Sequence, residues 1–158
     1  MPTAKISNKP TIIKEPINMK RVHEKAILPT QGSEFAAGMD LYTCEDVTLG
    51  PDEYAMVGTG WQMEIPTGWF GAMYPRSGMS TKQGIVLRNT VGIIDSDYRG
   101  EVKIPLWNIS DKEVKIEAGT RVAQLIIQPF FLGGVPTEVT NLSDTERGEG
   151  GFGSTGTK

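Results

Sequence analysis

The sequence predicts an all-β chain, a barrel or jelly-roll-like sandwich with at most one short helix. Three observations predict it. Apolar segments of strand length recur at short intervals. The 19 glycines and 10 prolines are scattered through the 158 residues rather than clustered, so turns are frequent and helical bundles are disfavoured. Only Ser77–Gln83 has room for a helix.

Residues 1–20 are polar, carry Pro2, Pro10 and Pro16, and lack sustained periodicity, so they are expected to form an N-terminal arm. Strands are then expected at Glu24–Leu28, Met39–Cys44, Tyr54–Gly58, Trp61–Ile65, Trp69–Tyr74, Ile85–Leu87, Gly92–Asp95, Glu101–Asn108, Val114–Ile116 and Arg121–Gln128. Turn formers separate them: Leu28 to Gly32, Leu49 to Asp52, Pro66 to Gly68, Tyr98 to Gly100 and Glu117 to Gly119. Glu101–Asn108 alternates so that Val102, Ile104 and Leu106 share a face. Pro105 has no N–H for a ladder, which predicts an edge strand or a local irregularity there. Arg121–Gln128 is more uniformly apolar, as expected of a strand covered on both faces. We divide the chain into an arm over 1–20, a β domain over 21–140 and a Gly-rich tail over 141–158, with no internal repeat.

Composition excludes several function classes. A single Cys (Cys44) and a single His (His23) leave no disulfide framework and no zinc cluster built from protein ligands alone. A net charge of −3 argues against general nucleic-acid binding through a basic surface. The residues up to Arg21 are nonetheless basic, with Lys5, Lys9, Lys14, Lys20 and Arg21 against Glu15. No run approaches the roughly 20 apolar residues of a membrane span, and no apolar segment with a cleavage site opens the chain, so a cytoplasmic protein is expected.

Three segments carry candidate chemistry. Pro75-Arg76-Ser77-Gly78 opens the helix after a strand. That pattern suits a phosphate site at a helix N-terminus, and equally an ordinary N-cap beside a surface arginine, which is the commoner case. Gly92 through Gly100 reads as two strands joined by a turn, with Asp95, Asp97 and Tyr98 clustered at one end. Asp95 there could orient and deprotonate a water while Tyr98 packs on a ring, or Asp97 and Gly100 could be turn residues only. Arg147 to Gly156 holds five glycines in ten residues. Composition favours a disordered tail, yet glycine amides, an arginine, Phe152 and a Ser-Thr pair also suit a phosphate and a flat ring.

Together these segments resemble the homotrimeric dUTP diphosphatases, whose five short motifs occur here in order. They are Ala36 to Tyr42, Pro75 to Gly78, Gly92 to Gly100, Gly119 to Ile126 and Arg147 to Gly156. The resemblance covers about Val22 to Gly156 and overrides the compositional reading of the tail. It implies a jelly-roll-like β-clip subunit, a homotrimer with shared active sites, and hydrolysis of dUTP to dUMP and diphosphate with Mg²⁺ on the triphosphate. Asp95 matches the water-activating carboxylate and Tyr98 the residue that packs on deoxyribose. Asn89, Gly92 and Ile94 match the uracil-holding hairpin, and Phe152 the ring that stacks over uracil. Arg76, Ser77, Gly78, Gln124, Arg147, Gly153, Ser154 and Thr155 match phosphate-contacting positions. Asp40 is placed near the metal's water shell, with a structural hydrogen bond as the equal alternative, and no direct protein ligand to Mg²⁺ is expected. Arg121 is expected to pair with a carboxylate in the trimer. Met39 and Ser80 depart from the usual aromatic and alanine. Asn89 to Gly92 and Gly68 to Gly71 look more like phage-encoded members, for which the location is the host cytoplasm. The alternatives are a dCTP deaminase of the same fold, or a dUTPase with an added regulatory protein partner engaging the basic arm. Neither nucleic acid nor membrane is expected as a partner.

Overall fold

The computed structural model describes residues 16–131 and 133–151. Among them run β1 (Asn18–Arg21), β2 (Thr30–Gln31), β3 (Met39–Tyr42), β4 (Val47–Leu49), β5 (Tyr54–Gly58), β6 (Trp61–Glu64) and β7 (Trp69–Pro75). The helix α1 (Ser77–Gln83) follows, then β8 (Ile85–Leu87), β9 (Gly92–Ile94), β10 (Lys103–Asn108), β11 (Val114–Ile116) and β12 (Arg121–Pro129). A five-stranded sheet has the order β2-β3-β12-β7-β9 and a three-stranded sheet the order β5-β10-β8, while β1 pairs with β6 and β4 with β11. The sheets stay open, so the architecture is sandwich-like rather than a closed barrel.

The core fills from both main sheets. Leu41, Met73, Ile94 and Leu125 come from the five-stranded sheet, and Val57, Ile85, Leu87, Ile104 and Leu106 from the three-stranded one. Val102, Ile104 and Leu106 are all buried, as their alternation predicts, and β12 lies between β3 and β7 with Val122, Ala123 and Leu125 buried. Each such aliphatic side chain removed from water contributes about 1.5–3 kcal/mol. The buried Asn108 ties loops to this core: its Nδ2 lies 2.9, 3.0 and 2.7 Å from the carbonyls of Leu49, Gly50 and Lys112.

Four expectations are settled or corrected. First, of the two readings for Pro105, an edge strand or a local irregularity, the second holds: β10 is the central strand of its sheet, and its pairing with β8 stops at Leu106 opposite Leu87. Pro105 is tolerated because its ring nitrogen faces the β8 side just beyond the last paired residue, Leu87; there the Arg88 N–H still donates to the Pro105 carbonyl at 2.8 Å. Second, Glu24–Leu28 forms no strand. Arg21 Nη1 donates to the carbonyls of Glu24 and Ala26, and the Trp61 Nε1–H donates to Ile27 O at 2.9 Å, so the segment wraps over Trp61. Third, Asn18–Arg21, where periodicity predicts nothing, is paired with β6 from Asn18 opposite Glu64 to Arg21 opposite Trp61. Fourth, Gly92–Gly100 is not a hairpin: β9 pairs with β7, and the chain then crosses to the other sheet as β10.

Candidate active site

β9 and the turn after it shape a cleft of 270 Å³ lined by Asn89, Gly92, Ile94, Asp95 and Tyr98. Pairing sets Gly92 opposite Met73 and Ile94 opposite Gly71. A Cβ on Gly92 would lie 2.6 Å from Met73 Cε and 3.3 Å from Asn89 Nδ2, so glycine permits this close approach. Thr90, beside Asn89, holds φ at 61°, a strained value for a β-branched residue at the rim of a candidate site. The turn closes where the Tyr98 N–H donates to Asp95 O at 3.1 Å, and the Tyr98 hydroxyl donates to Glu101 O at 3.0 Å. Asp95 is exposed at the cleft, and its carboxylate belongs to none of the ion pairs among the described residues. Its other flank meets Phe70, Ile93 and Phe130, with the two Phe rings edge-on at 6.3 Å.

A second cleft, of 450 Å³, is lined by Arg76, Gly78, Lys82, Gln83, Thr120 and Arg121. The β3–β12–β7 register puts Asp40, Gln124 and Tyr74 in one row. Asp40 Oδ1 accepts from Arg76 Nε at 2.8 Å and Oδ2 from Arg121 Nη1 at 3.3 Å, while Arg76 Nη1 donates to Arg121 O at 3.2 Å. One carboxylate thus fixes two guanidinium groups at the cleft wall and leaves further N–H donors of each fork unspent. Arg121 pairs with a carboxylate of its own chain. The Gln124 Nε2 donates to Pro75 O at 3.1 Å, next to Arg76. Ser77 and Gly78 are exposed in the first turn of α1. Arg76 is the N-cap residue and no side chain caps the helix, so Ser77 is not the cap; its carbonyl instead accepts from Thr81 Oγ1 at 2.6 Å.

The two clefts share no lining residue, although Met73 of the first and Arg76 of the second lie on one stretch of chain, about 10 Å apart at strand rise. Arg147 lines neither: its Nε donates to Gly150 O at 2.7 Å within the tail. Phe152, Gly153, Ser154 and Thr155 lie outside the described residues. Sequence reasoning passed over Lys82, whose signal was its place four residues after Gly78 on the helix, and Lys103 and Met73, which only packing brings to the first cleft. Cys44 is buried; that burial first, then the charges of Glu101 and Glu45, push its thiol above the ordinary range, which disfavours the thiolate.

Among the described residues no group of three or more His, Cys, Asp or Glu could hold a metal ion. Asp40 spends both oxygens on arginines, so the oxygen ligands that Mg²⁺ prefers fit a metal carried by substrate phosphates and water. No described helix is long and apolar enough to cross a membrane.

The dUTPase family model matches residues 24–156, a span that contains all five quoted segments. The chain belongs to the dUTPase family. A deoxyuridine 5'-triphosphate nucleotidohydrolase from Nautilia profundicola is 45% identical over 140 residues, covering 89% of this chain and 98% of the relative. The dUTPase of Staphylococcus bacteriophage 80alpha, solved with dUPNHPP, superposes with a TM-score of 0.81 at 30% identity over 89% of this chain and 98% of that one. A mutant dUTPase from phage phi11 of S. aureus, described with a coordinated structural Mg(II) ion, gives 0.71 at 25% identity over 84% and 99%. Among dUTPases, then, this chain has kin in both bacteria and phages.

Proposed function

We propose that this chain hydrolyses dUTP to dUMP and diphosphate, keeping uracil out of DNA and supplying dUMP for thymidylate synthesis in the cytoplasm, or in a host's cytoplasm if it is phage-encoded. The observation that carries the reading is the unpaired Asp95 carboxylate at the cleft of Asn89, Gly92 and Tyr98, in a chain 45% identical to an enzyme named for this reaction. Asp95 orients a water for in-line attack on the α-phosphorus and accepts its proton. A carboxylate of ordinary basicity is a weak base, so positioning and charge neutralisation supply most of the acceleration.

Asn89 and the backbone at Gly92 pair with the uracil edge, with Ile94 beneath. The Tyr98 ring packs on deoxyribose and leaves no room for a 2′-hydroxyl. Arg76, held by Asp40, meets the phosphates with Ser77, Gly78 and Gln124. From the tail, Arg147, Gly153, Ser154 and Thr155 grip terminal phosphates and Phe152 covers the base, expelling water. Mg²⁺ on the triphosphate neutralises charge on the phosphate oxygens. A homotrimer completes the site: what supports it is that the two clefts share no residue within a chain and that Arg147 of the tail lines neither. One observation favours an added regulatory role through a protein partner: the phage 80alpha dUTPase is described as controlling transfer of virulence genes.

Diphosphate release measured across the deoxynucleoside triphosphates, with and without Mg²⁺, tests the reading. We expect turnover of dUTP alone, lost on chelation. Ammonia released from dCTP would replace the hydrolase with a deaminase of the same fold.

A further inference from the structure

Few backbone contacts hold the turn that joins Asp95 to Tyr98, and the Tyr98 hydroxyl anchors only its own ring, to Glu101 O. β9 is three residues long and terminal in its sheet, and one backbone bond, Tyr98 N–H to Asp95 O, closes the turn. Both functional side chains are exposed. The next residue supplies what is missing. Arg99 folds back so that its Nη1 donates to Ser96 O at 2.7 Å and to Tyr98 O at 3.1 Å, bridging the turn. Its Nη2 reaches Glu64 Oε1 at 3.4 Å on β6, and the other oxygen of Glu64 accepts from Asn18 Nδ2 at 2.9 Å on β1. Asn18 and Glu64 are register partners, so this second link is braced by strand pairing.

We infer that Arg99 is a positioning residue for the catalytic turn, and that Glu64 and Asn18 hold its guanidinium in place. This rests on the hydrolase reading above. The ion pair itself is half-exposed on both sides and contributes little as charge attraction. Its role is geometric: it aims the guanidinium fork so that one nitrogen serves two turn carbonyls, fixing the backbone that carries Asp95 and Tyr98, while the Tyr98 hydroxyl bond to Glu101 O sets the far end of the ring. A lysine, with a single ammonium and a flexible stem, reaches the same carbonyls without that aim. The strand β1 thereby bears on the active site, although it stands outside the five motif segments.

The test uses the full-length protein and reads kcat and KM for dUTP and UTP, amide exchange at Tyr98, and thermal stability. Arg99→Ala should raise KM for dUTP about tenfold, the loss expected for one or two hydrogen bonds, and narrow the preference for dUTP over UTP. It should also speed Tyr98 exchange while leaving the melting midpoint nearly unchanged. Arg99→Lys should recover part of each effect. Glu64→Ala and Asn18→Ala should shift the same quantities by less, and Glu64→Ala should add nothing in the Arg99→Ala background. Unchanged KM, preference and exchange in Arg99→Ala, or full additivity of Glu64→Ala, overturns the inference. If Arg99→Ala does not fold, the Glu64→Ala and Asn18→Ala comparison decides by the same readouts. If the unaltered protein does not turn over dUTP, the hydrolase reading fails by itself, and Tyr98 exchange still decides whether Arg99 clamps the turn.

Discussion

Asp40 and Asp95 carry the same side chain in opposite circumstances. Both oxygens of Asp40 are committed to Arg76 and Arg121, and its side chain is 15% exposed. Asp95 is exposed and unpaired among the described residues. A carboxylate already holding two arginines is a bracket for their guanidinium groups; one free at a cleft can take up a water. Asp95→Asn, which preserves shape and removes the base, should bind a non-hydrolysable dUTP analogue with near-normal affinity and lose about a thousandfold in kcat. Calorimetry and steady-state assays read the two separately, and a near-normal kcat would remove Asp95 from its role. The sequence placed these two residues in candidate motifs but left Asp40 open between metal shell and structural bond. The structural bonds it makes run to Arg76 and Arg121, which are 36 and 81 residues away in the chain.

At the scale of elements, short strands with clean alternation were legible. Val114–Ile116 and Tyr54–Gly58 fall where periodicity puts them, and α1 spans Ser77–Gln83 as expected. The helix ends at Gly84, whose φ of 69° is the left-handed cap that glycine adopts freely. A Cβ there would lie 2.8 Å from Ser110 Cβ, so Gly84→Ala combines backbone strain with a clash and should destabilise by about 1–3 kcal/mol. Urea denaturation checks this, and an unchanged midpoint would mean that the helix end relaxes. Pro105, left open between an edge and an irregularity, and the Gly92–Gly100 segment, read as two paired strands, share one reason. Local pattern says that a strand exists, whereas its neighbours depend on residues far away. Pro105 sits in a central strand because β8 stops one residue short of it, and β9 and β10 part because each finds a partner elsewhere.

For the whole molecule, the core among the described residues ends at Leu125 and Ile127, and 130–131 and 133–149 are exposed. Truncation after Glu146 should therefore leave a folded protein of unchanged oligomeric state, by sedimentation, with kcat for dUTP reduced by orders of magnitude. Loss of folding would make the tail structural instead of a closing lid.

The sequence by itself determined the fold class, the helix at Ser77–Gln83 and the five ordered segments that mark the family. Alternation, turn residues and short motifs are local properties, and local order survives in one dimension. Tertiary structure alone decided that Asp40 braces two arginines, that β1 is a strand, and that Arg99 reaches from the Asp95–Tyr98 turn to Glu64. Each of those depends on groups brought together by sheet pairing across tens of residues. Strand register, not chain proximity, sets which side chains meet.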